Sequence, residues 1–309
     1  MKFLIYSSKY YNSHFLSLNI NMSAIIIDGK DLSNILKSKL TEKVFDFSKK
    51  KEVLPGLAVI IVGDDHASKI YVKNKIKACE EVGFYSVCEK YDKNITEVDL
   101  IHRIKQLNKD KKIHGILIQL PLPDHLNPRK ILENINIFKD VDGFHTSNSG
   151  KLMLGNPIFK PCTPFGVMKI LEHIGFNIRG SNAVIVGSSY NVGKPQSMLL
   201  LNEGATVTIC NSKTKNLSMH TSQADLLIVA TGKQKLIRAD MIKKNAVVID
   251  VGINRDMNGK LCGDVDFESA KNVAGWITPV PGGVGPMTIT MLLFNTLLAA
   301  ELSLKNLND

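Results

Sequence analysis

Tyr71 and Lys75 stand four residues apart in a stretch of helical pattern, so both leave one face of that helix. Val72, Ile76 and Cys79 form a neighbouring apolar stripe, which places the phenol and the amine at its edge, where a cleft can reach them. A lysine that moves protons near neutral pH needs partial desolvation or a neighbouring cation. On spacing alone, an exposed helix face fits the pair as well. Gln119 interrupts an apolar strand just before Pro121 and Pro123. A glutamine at the C-terminal end of a parallel strand points into the usual ligand crevice, although a neighbouring loop could also satisfy its amide. Asp140 and Asp142 read equally as loop-capping acids or as a carboxylate accepting two hydrogen bonds from an aminopyrimidinone edge.

A second set follows an apolar strand and opens a helix: Gly187, Ser188, Ser189 and, after three residues, Gly193. A dinucleotide fold needs a tight turn there, so that a pyrophosphate can approach backbone N–H groups and the helix N-terminus. Gly187 supplies the turn, Gly193 permits close helix–strand packing, and Ser189 offers a hydroxyl to a phosphate. The next strand ends in Cys210, Asn211, Ser212, Lys213 and Thr214, with no carboxylate. An acid at that point normally holds the ribose hydroxyls of NAD; hydroxyls and a cation favour NADP, with NAD the alternative. The Tyr-x-x-x-Lys spacing also occurs in short-chain dehydrogenases, but there it follows the glycine loop, and here it precedes it.

These residues need a scaffold, and the hydropathy pattern supplies one. Apolar strands are predicted at residues 57–63, 115–120, 183–187, 205–210, 226–230 and 246–250, with helical stretches between them, including one from about His66 to Val82 and a last one from about Met287 to Leu302. Alternation of this kind implies βαβ units and parallel sheets. Pro161 and Pro164 make a stiff break, where Thr163 is expected to cap a helix. The expectation is α/β: two α/β domains flanking a cleft, residues 23–160 and 161–287. The second is a Rossmann-type dinucleotide domain, and the C-terminal helix, within 288–309, returns to the first.

Composition agrees with a globular enzyme: 309 residues, 44% hydrophobic and 22% charged. The net charge of +10 suits polyanionic small ligands. No dense Lys/Arg block with interleaved aromatics occurs, so no nucleic-acid partner is expected. No apolar run reaches the roughly 18 residues of a membrane helix, and no membrane partner is expected. The five cysteines are scattered, which predicts reduced thiols, no disulfide framework and no zinc site. Residues 1–21 carry Lys2 and Lys9 but no arginine and no acid. They read as a dispensable extension ahead of Met22, giving a cytoplasmic protein; a transit peptide, giving a mitochondrial one, is the alternative.

Five segments together carry a resemblance. YVKNKIKACEEVG at 71–83, GILIQLPLP at 115–123, KDVDGF at 139–144, PCTP at 161–164 and PVPGGVGPMT at 279–288 resemble, in order and spacing, the bifunctional methylenetetrahydrofolate dehydrogenase/cyclohydrolase family over about residues 23–303. The resemblance implies NADP-dependent oxidation of 5,10-methylenetetrahydrofolate followed by hydrolysis to 10-formyltetrahydrofolate, in a homodimer; a dehydrogenase without the hydrolase is the alternative. It assigns Lys75 to the hydrolase step, Tyr71 to stacking on folate, Gln119 to tuning the lysine and Asp142 to the pterin edge. Ile118, Leu120, Pro279, Gly282 and Gly283 complete the folate site. Gly187, Ser188, Ser189, Gly193, Ser212, Lys213, Ile253 and Thr288 form the cofactor site, with residues 279–287 where the two ligands meet. Ser188 departs from the pattern: many members carry arginine there, holding the 2′-phosphate.

Overall fold

The computed structural model describes residues 23–305; the extension expected at the amino terminus and residues 306–309 lie outside them. In chain order the elements are β1 (Ile25–Ile26), α1 (Gly29–Lys51), β2 (Gly56–Val62), α2 (His66–Glu81), β3 (Tyr85–Tyr91), α3 (Glu97–Lys109), β4 (Gly115–Ile118), α4 (Pro128–Leu132), α5 (Thr146–Met153), α6 (Cys162–His173), β5 (Asn182–Val186), α7 (Gly193–Asn202), β6 (Thr206–Cys210), α8 (Leu217–Thr221), β7 (Leu226–Val229), β8 (Val247–Asp250), β9 (Asn254–Arg255), β10 (Leu261–Cys262), α9 (Phe267–Ala270), β11 (Trp276–Ile277) and α10 (Val284–Lys305).

Two parallel sheets result. The smaller has the order β3-β2-β4. Its central strand is buried at every residue, as a run of Leu, Ala, Val and Ile covered on both faces must be. The larger has the order β1-β11-β8-β7-β5-β6. The order in which strands are added reverses at β5, because β6 lies on one side and β7 on the other; that is the switch point where open α/β sheets bind ligands. All the predicted strands form, with ends displaced by a residue or two. β4 stops at Ile118: Gln119 N–H still donates to the Ile60 carbonyl at 2.8 Å, but Pro121 has no N–H to continue the ladder.

Two features depart from the sequence reading. Ile25 and Ile26 pair in parallel with Trp276 and Ile277, so the first described strand is the edge of the second sheet, although the rest of its half of the chain builds the first. Thr163 does not cap α6. The helix starts one residue earlier, at Cys162, so the cap position falls to Pro161, whose side chain has no hydrogen-bond acceptor. The freed Thr163 hydroxyl meets that of Thr288 at 3.0 Å, tying α6 to α10. α10 is long and apolar enough to cross a membrane by length and composition. It packs instead on α1, α2 and α6, with Met287, Met291, Leu292 and Leu293 in the main core. The C-terminal helix thus returns to the first domain.

Candidate active site

α2 presents the first set of groups. Asp65 caps it, accepting from Ser68 N–H at 2.7 Å; Val72 and Cys79 are buried and anchor it, leaving Tyr71 and Lys75 half-buried at the margin. Lys75 Nζ donates to Gln119 Oε1 at 3.0 Å. The glutamine is itself held, since its Nε2 donates to the Leu120 carbonyl at 2.7 Å. The amide oxygen therefore faces the lysine because its nitrogen is committed elsewhere. Of the two readings of Gln119, its amide serves both, the loop and the crevice.

The two aspartates separate. Asp140 is buried and caps its own turn, accepting from Phe144 N–H at 3.2 Å, His145 N–H at 2.9 Å and Asn148 Nδ2 at 2.7 Å. Burial pushes its carboxyl up to about 7, against the pull of those bonds. Asp142 instead faces Lys75 and Cys162. Burial raises its pKa, and the lysine charge draws it back. Beside it, burial and the Asp142 charge push the Cys162 thiol well up, so it stays neutral. Asn295, from α10, donates to the Val141 carbonyl at 2.7 Å and the Lys160 carbonyl at 2.9 Å, clamping the Asp142 loop from below. The sequence reading passed over Asn295; the available signal was the one amide in a predominantly apolar helix.

The second set surrounds the switch point. Gly187 has φ +124°, and a Cβ there would strike the Ala230 carbonyl oxygen at the end of β7. A Cβ on Gly193 would strike the Gly187 carbonyl oxygen. Both positions are thus backbone cradles with no space for a side chain, which fits a dinucleotide phosphate approaching N–H groups. Ser189 Oγ accepts from Val192 N–H at 3.2 Å and Gly193 N–H at 3.4 Å, which shapes the loop and leaves the hydroxyl proton to donate outward. After β6, Asn211 Oδ1 accepts from Lys213 N–H, and Thr214 Oγ1 from Asn211 N–H, each at 2.9 Å. That turn spends the Thr214 hydroxyl as an acceptor and leaves Ser212 and Lys213 exposed.

Between the sheets, a small cavity of about 50 Å³ brings Tyr71 together with Ile253, Pro279, Gly282 and Gly283. Burial raises the Tyr71 phenol, partly offset by Arg255. A wider cleft of about 1080 Å³ runs from Leu120 and Pro121 to Tyr190 and Lys194; the Tyr190 ring lies 5.9 Å from that of Phe144, bridging the two halves. Ile118, the last residue of β4, is buried. Ser212 and Lys213 line neither cavity; they follow the carboxyl end of β6.

The comparisons with known proteins agree with this arrangement. Residues 27–142 match the model of the tetrahydrofolate dehydrogenase/cyclohydrolase catalytic domain, and residues 161–304 that of the NAD(P)-binding domain of the same family. A bifunctional protein FolD from Polynucleobacter asymbioticus is 62% identical over 280 residues, covering 91% of this chain and 98% of that relative. The crystal structure of the bifunctional FolD dehydrogenase/cyclohydrolase from Campylobacter jejuni is 52% identical, with a TM-score of 0.89, over 91% of this chain and 100% of that one. The FolD of Trypanosoma brucei, solved with NADP cofactor and an inhibitor, is 37% identical with a TM-score of 0.89, over 91% and 99% of the two chains. The chain belongs to the tetrahydrofolate dehydrogenase/cyclohydrolase family.

Proposed function

We infer that the protein oxidises 5,10-methylenetetrahydrofolate to the 5,10-methenyl cation with NADP, then hydrolyses the cation to 10-formyltetrahydrofolate. When bound, the dinucleotide supplies a hydride acceptor at its nicotinamide C4. Gly187, Ser188, Ser189, Gly193, Ser212, Lys213, Ile253 and Thr288 hold it. The folate lies on Tyr71, Ile118, Gln119 and Leu120 against Pro279, Gly282 and Gly283, with Asp142 accepting from its aminopyrimidinone edge. For the oxidation the chain aligns two partners, because folate nitrogen lone pairs stabilise the cation themselves. The hydrolysis moves protons. Water attacks the methenyl carbon, one C–N bond breaks, and Lys75 carries the proton between them.

One observation carries the hydrolase assignment: the 3.0 Å bond from Lys75 to Gln119 at the mouth of β4, between two half-buried groups. Hydride transfer needs no proton carrier, so a half-buried lysine held in this way fits the hydrolysis. Residues 23–160 with α10 form the folate domain in this reading, and residues 161–287 the dinucleotide domain. A homodimer fits the open edge of the larger sheet, where β6 exposes Ile209 beside unpaired backbone groups. The five unpaired cysteines suit a reducing cytoplasm.

Purified protein assayed for methenyl formation with NADP and with NAD, and separately for methenyl hydrolysis, tests the function. Both activities, with kcat/KM higher for NADP, are expected. Absence of hydrolysis above the uncatalysed background overturns the bifunctional reading. Sedimentation of the same sample at micromolar concentration should give twice the chain mass.

A further inference from the structure

Two buried acids of the second sheet take no part in the chemistry above. Asp250 ends β8, and its carboxylate accepts three backbone N–H groups: Gly252 at 2.9 Å and Asp264 at 3.0 Å on Oδ1, and Val265 at 2.9 Å on Oδ2. Asp264, fully buried, continues the chain. Its Oδ2 accepts from the Thr231 N–H and hydroxyl and from Gly232 N–H, and its Oδ1 from Asn254 Nδ2 at 2.8 Å. Every partner of both carboxylates is a donor. A Cβ on Gly252 would strike Asp264, and one on Gly263 would strike Asp250, so no side chain fits between them. Burying a carboxylate is costly before its bonds are counted, and turns alone could close two loops without that cost. The elements joined are informative. Thr231 and Gly232 follow β7; Gly252, Ile253 and Asn254 follow β8. Both stand at the carboxyl ends of the strands, beside the switch point, and Ile253 lines the cavity shared with Tyr71 and Pro279.

We propose that Asp264, itself held through its backbone by Asp250, is a positioning residue for hydride transfer, fixing the loop after β8 against the loop after β7 so that the nicotinamide end of the dinucleotide crevice keeps its width. This rests on the reading above that the dinucleotide crosses these strand ends. Lys75, Gln119 and Asp142 have no hydrogen bond to either acid, so the proton-moving groups of the hydrolase step stand apart from the pair.

The bifunctional enzyme provides its own control. In Asp264→Ala, kcat/KM for NADP should fall about 100-fold, the cost of a misplacement of about 1 Å, while methenyl hydrolysis stays within about twofold of wild type. Asp264→Asn should recover most of the loss. Its oxygen can still accept from Thr231 and Gly232, and its nitrogen can donate to Asn254 once that amide turns over. Should Asp264→Ala not fold, Asn254→Ala cuts the one bond to the β8 loop and should raise KM for NADP about fivefold with hydrolysis intact. An Asn254→Ala enzyme with wild-type KM overturns the proposal. So do equal losses of both activities in Asp264→Ala, or no recovery in Asp264→Asn. Gly193→Ala separates the two layers of inference. A raised KM for NADP there, beside an unaltered Asp264→Ala, removes this proposal alone; a wild-type KM there removes the crevice reading and the proposal with it.

Discussion

At the end of β4 the chain offers a side chain, Gln119, that holds another side chain, Lys75. At the end of β5 the backbone does most of this: Gly187 and Gly193 bring bare backbone together, Ser189 Oγ folds back on the loop, and the buried acids Asp250 and Asp264 organise the loops behind. The two strand ends sit in similar α/β units, yet the ligand chemistry expected at each differs. Moving a proton requires a titratable group at one point, and a folded helix can place it. Holding a pyrophosphate requires several N–H groups converging on one space, and only the backbone is short enough to provide them. A side-chain site can therefore lose one group and keep its shape. A backbone site changes shape with almost any substitution.

Lys75→Met gives the largest test of that contrast. Methionine keeps an unbranched chain of similar length and removes the proton carrier. Methenyl hydrolysis should fall about 10²–10⁴-fold, with a measurable rate of methenyl production remaining. Wild-type hydrolysis in the mutant, after background subtraction, would remove Lys75 from the proton-transfer role. Gln119→Leu should cost less, on the order of tenfold in the same step, about the net worth of one hydrogen bond to a charged group. Methenyl production should fall less than hydrolysis, because hydride transfer does not use the bond at 3.0 Å. Hydrolysis at the wild-type rate would leave Gln119 as a loop residue.

Stability offers a smaller test, within the first sheet. His114 is buried at the foot of β4, and its Nδ1 accepts from Gly56 N–H at 2.9 Å, so the neutral ring is the bonded form. Burial, with Lys139 adding to it, lowers its pKa to about 4, below the ordinary 6.5. The unfolded chain therefore binds more protons between those values, and the stability from the neutral ring, present above pH 6.5, is lost as pH falls toward 4. At 1.36 kcal/mol per unit the loss is about 3 kcal/mol. His114→Asn retains an acceptor and removes the titration. Its thermal midpoint should change less between pH 7 and pH 5 than the wild type's; an equal slope would assign the acid sensitivity to other groups.

Much of this was legible in the residues, and what was hidden follows a pattern. Strands such as Gly56–Val62 announce themselves because burial on both faces demands a continuous apolar run. Lys75 and Gln119 could each be marked, but not their pairing across 44 residues, which depends on how α2 lies over β4. The β1–β11 pairing was invisible: two isoleucines make no periodic pattern, and their partner is 251 residues away by register. Asp140 and Asp142 looked equivalent in KDVDGF. Only the turn geometry sends the first into its own loop and the second toward Lys75. Asp250 was read as the last residue of a strand, since nothing in VVID distinguishes a capping acid from one that organises two loops.

The smallest expected effect concerns Ser188, where the resemblance leads one to expect arginine. Ser188 is half-buried in the phosphate loop, and the exposed cation nearest to it in role is Lys213, at the end of the next strand. Arginine at 188 could grip a 2′-phosphate through two parallel hydrogen bonds. Against that gain stand the ordering of a long side chain, up to about 2 kcal/mol, and screening by salt. The balance should raise the NADP-to-NAD ratio of kcat/KM by about three- to tenfold in Ser188→Arg, a gain near 1 kcal/mol. The increase should shrink as ionic strength rises, because it is a charge–charge effect at a partly open site. Methenyl hydrolysis should change little, since Ser188 itself lines neither cavity. A ratio that is unchanged, or shifted toward NAD, would mean that the 2′-phosphate lies beyond reach of residue 188. Ser212 and Lys213 would then hold it alone, and even this part of the dinucleotide site would depend on side chains, narrowing the contrast between the two crevices.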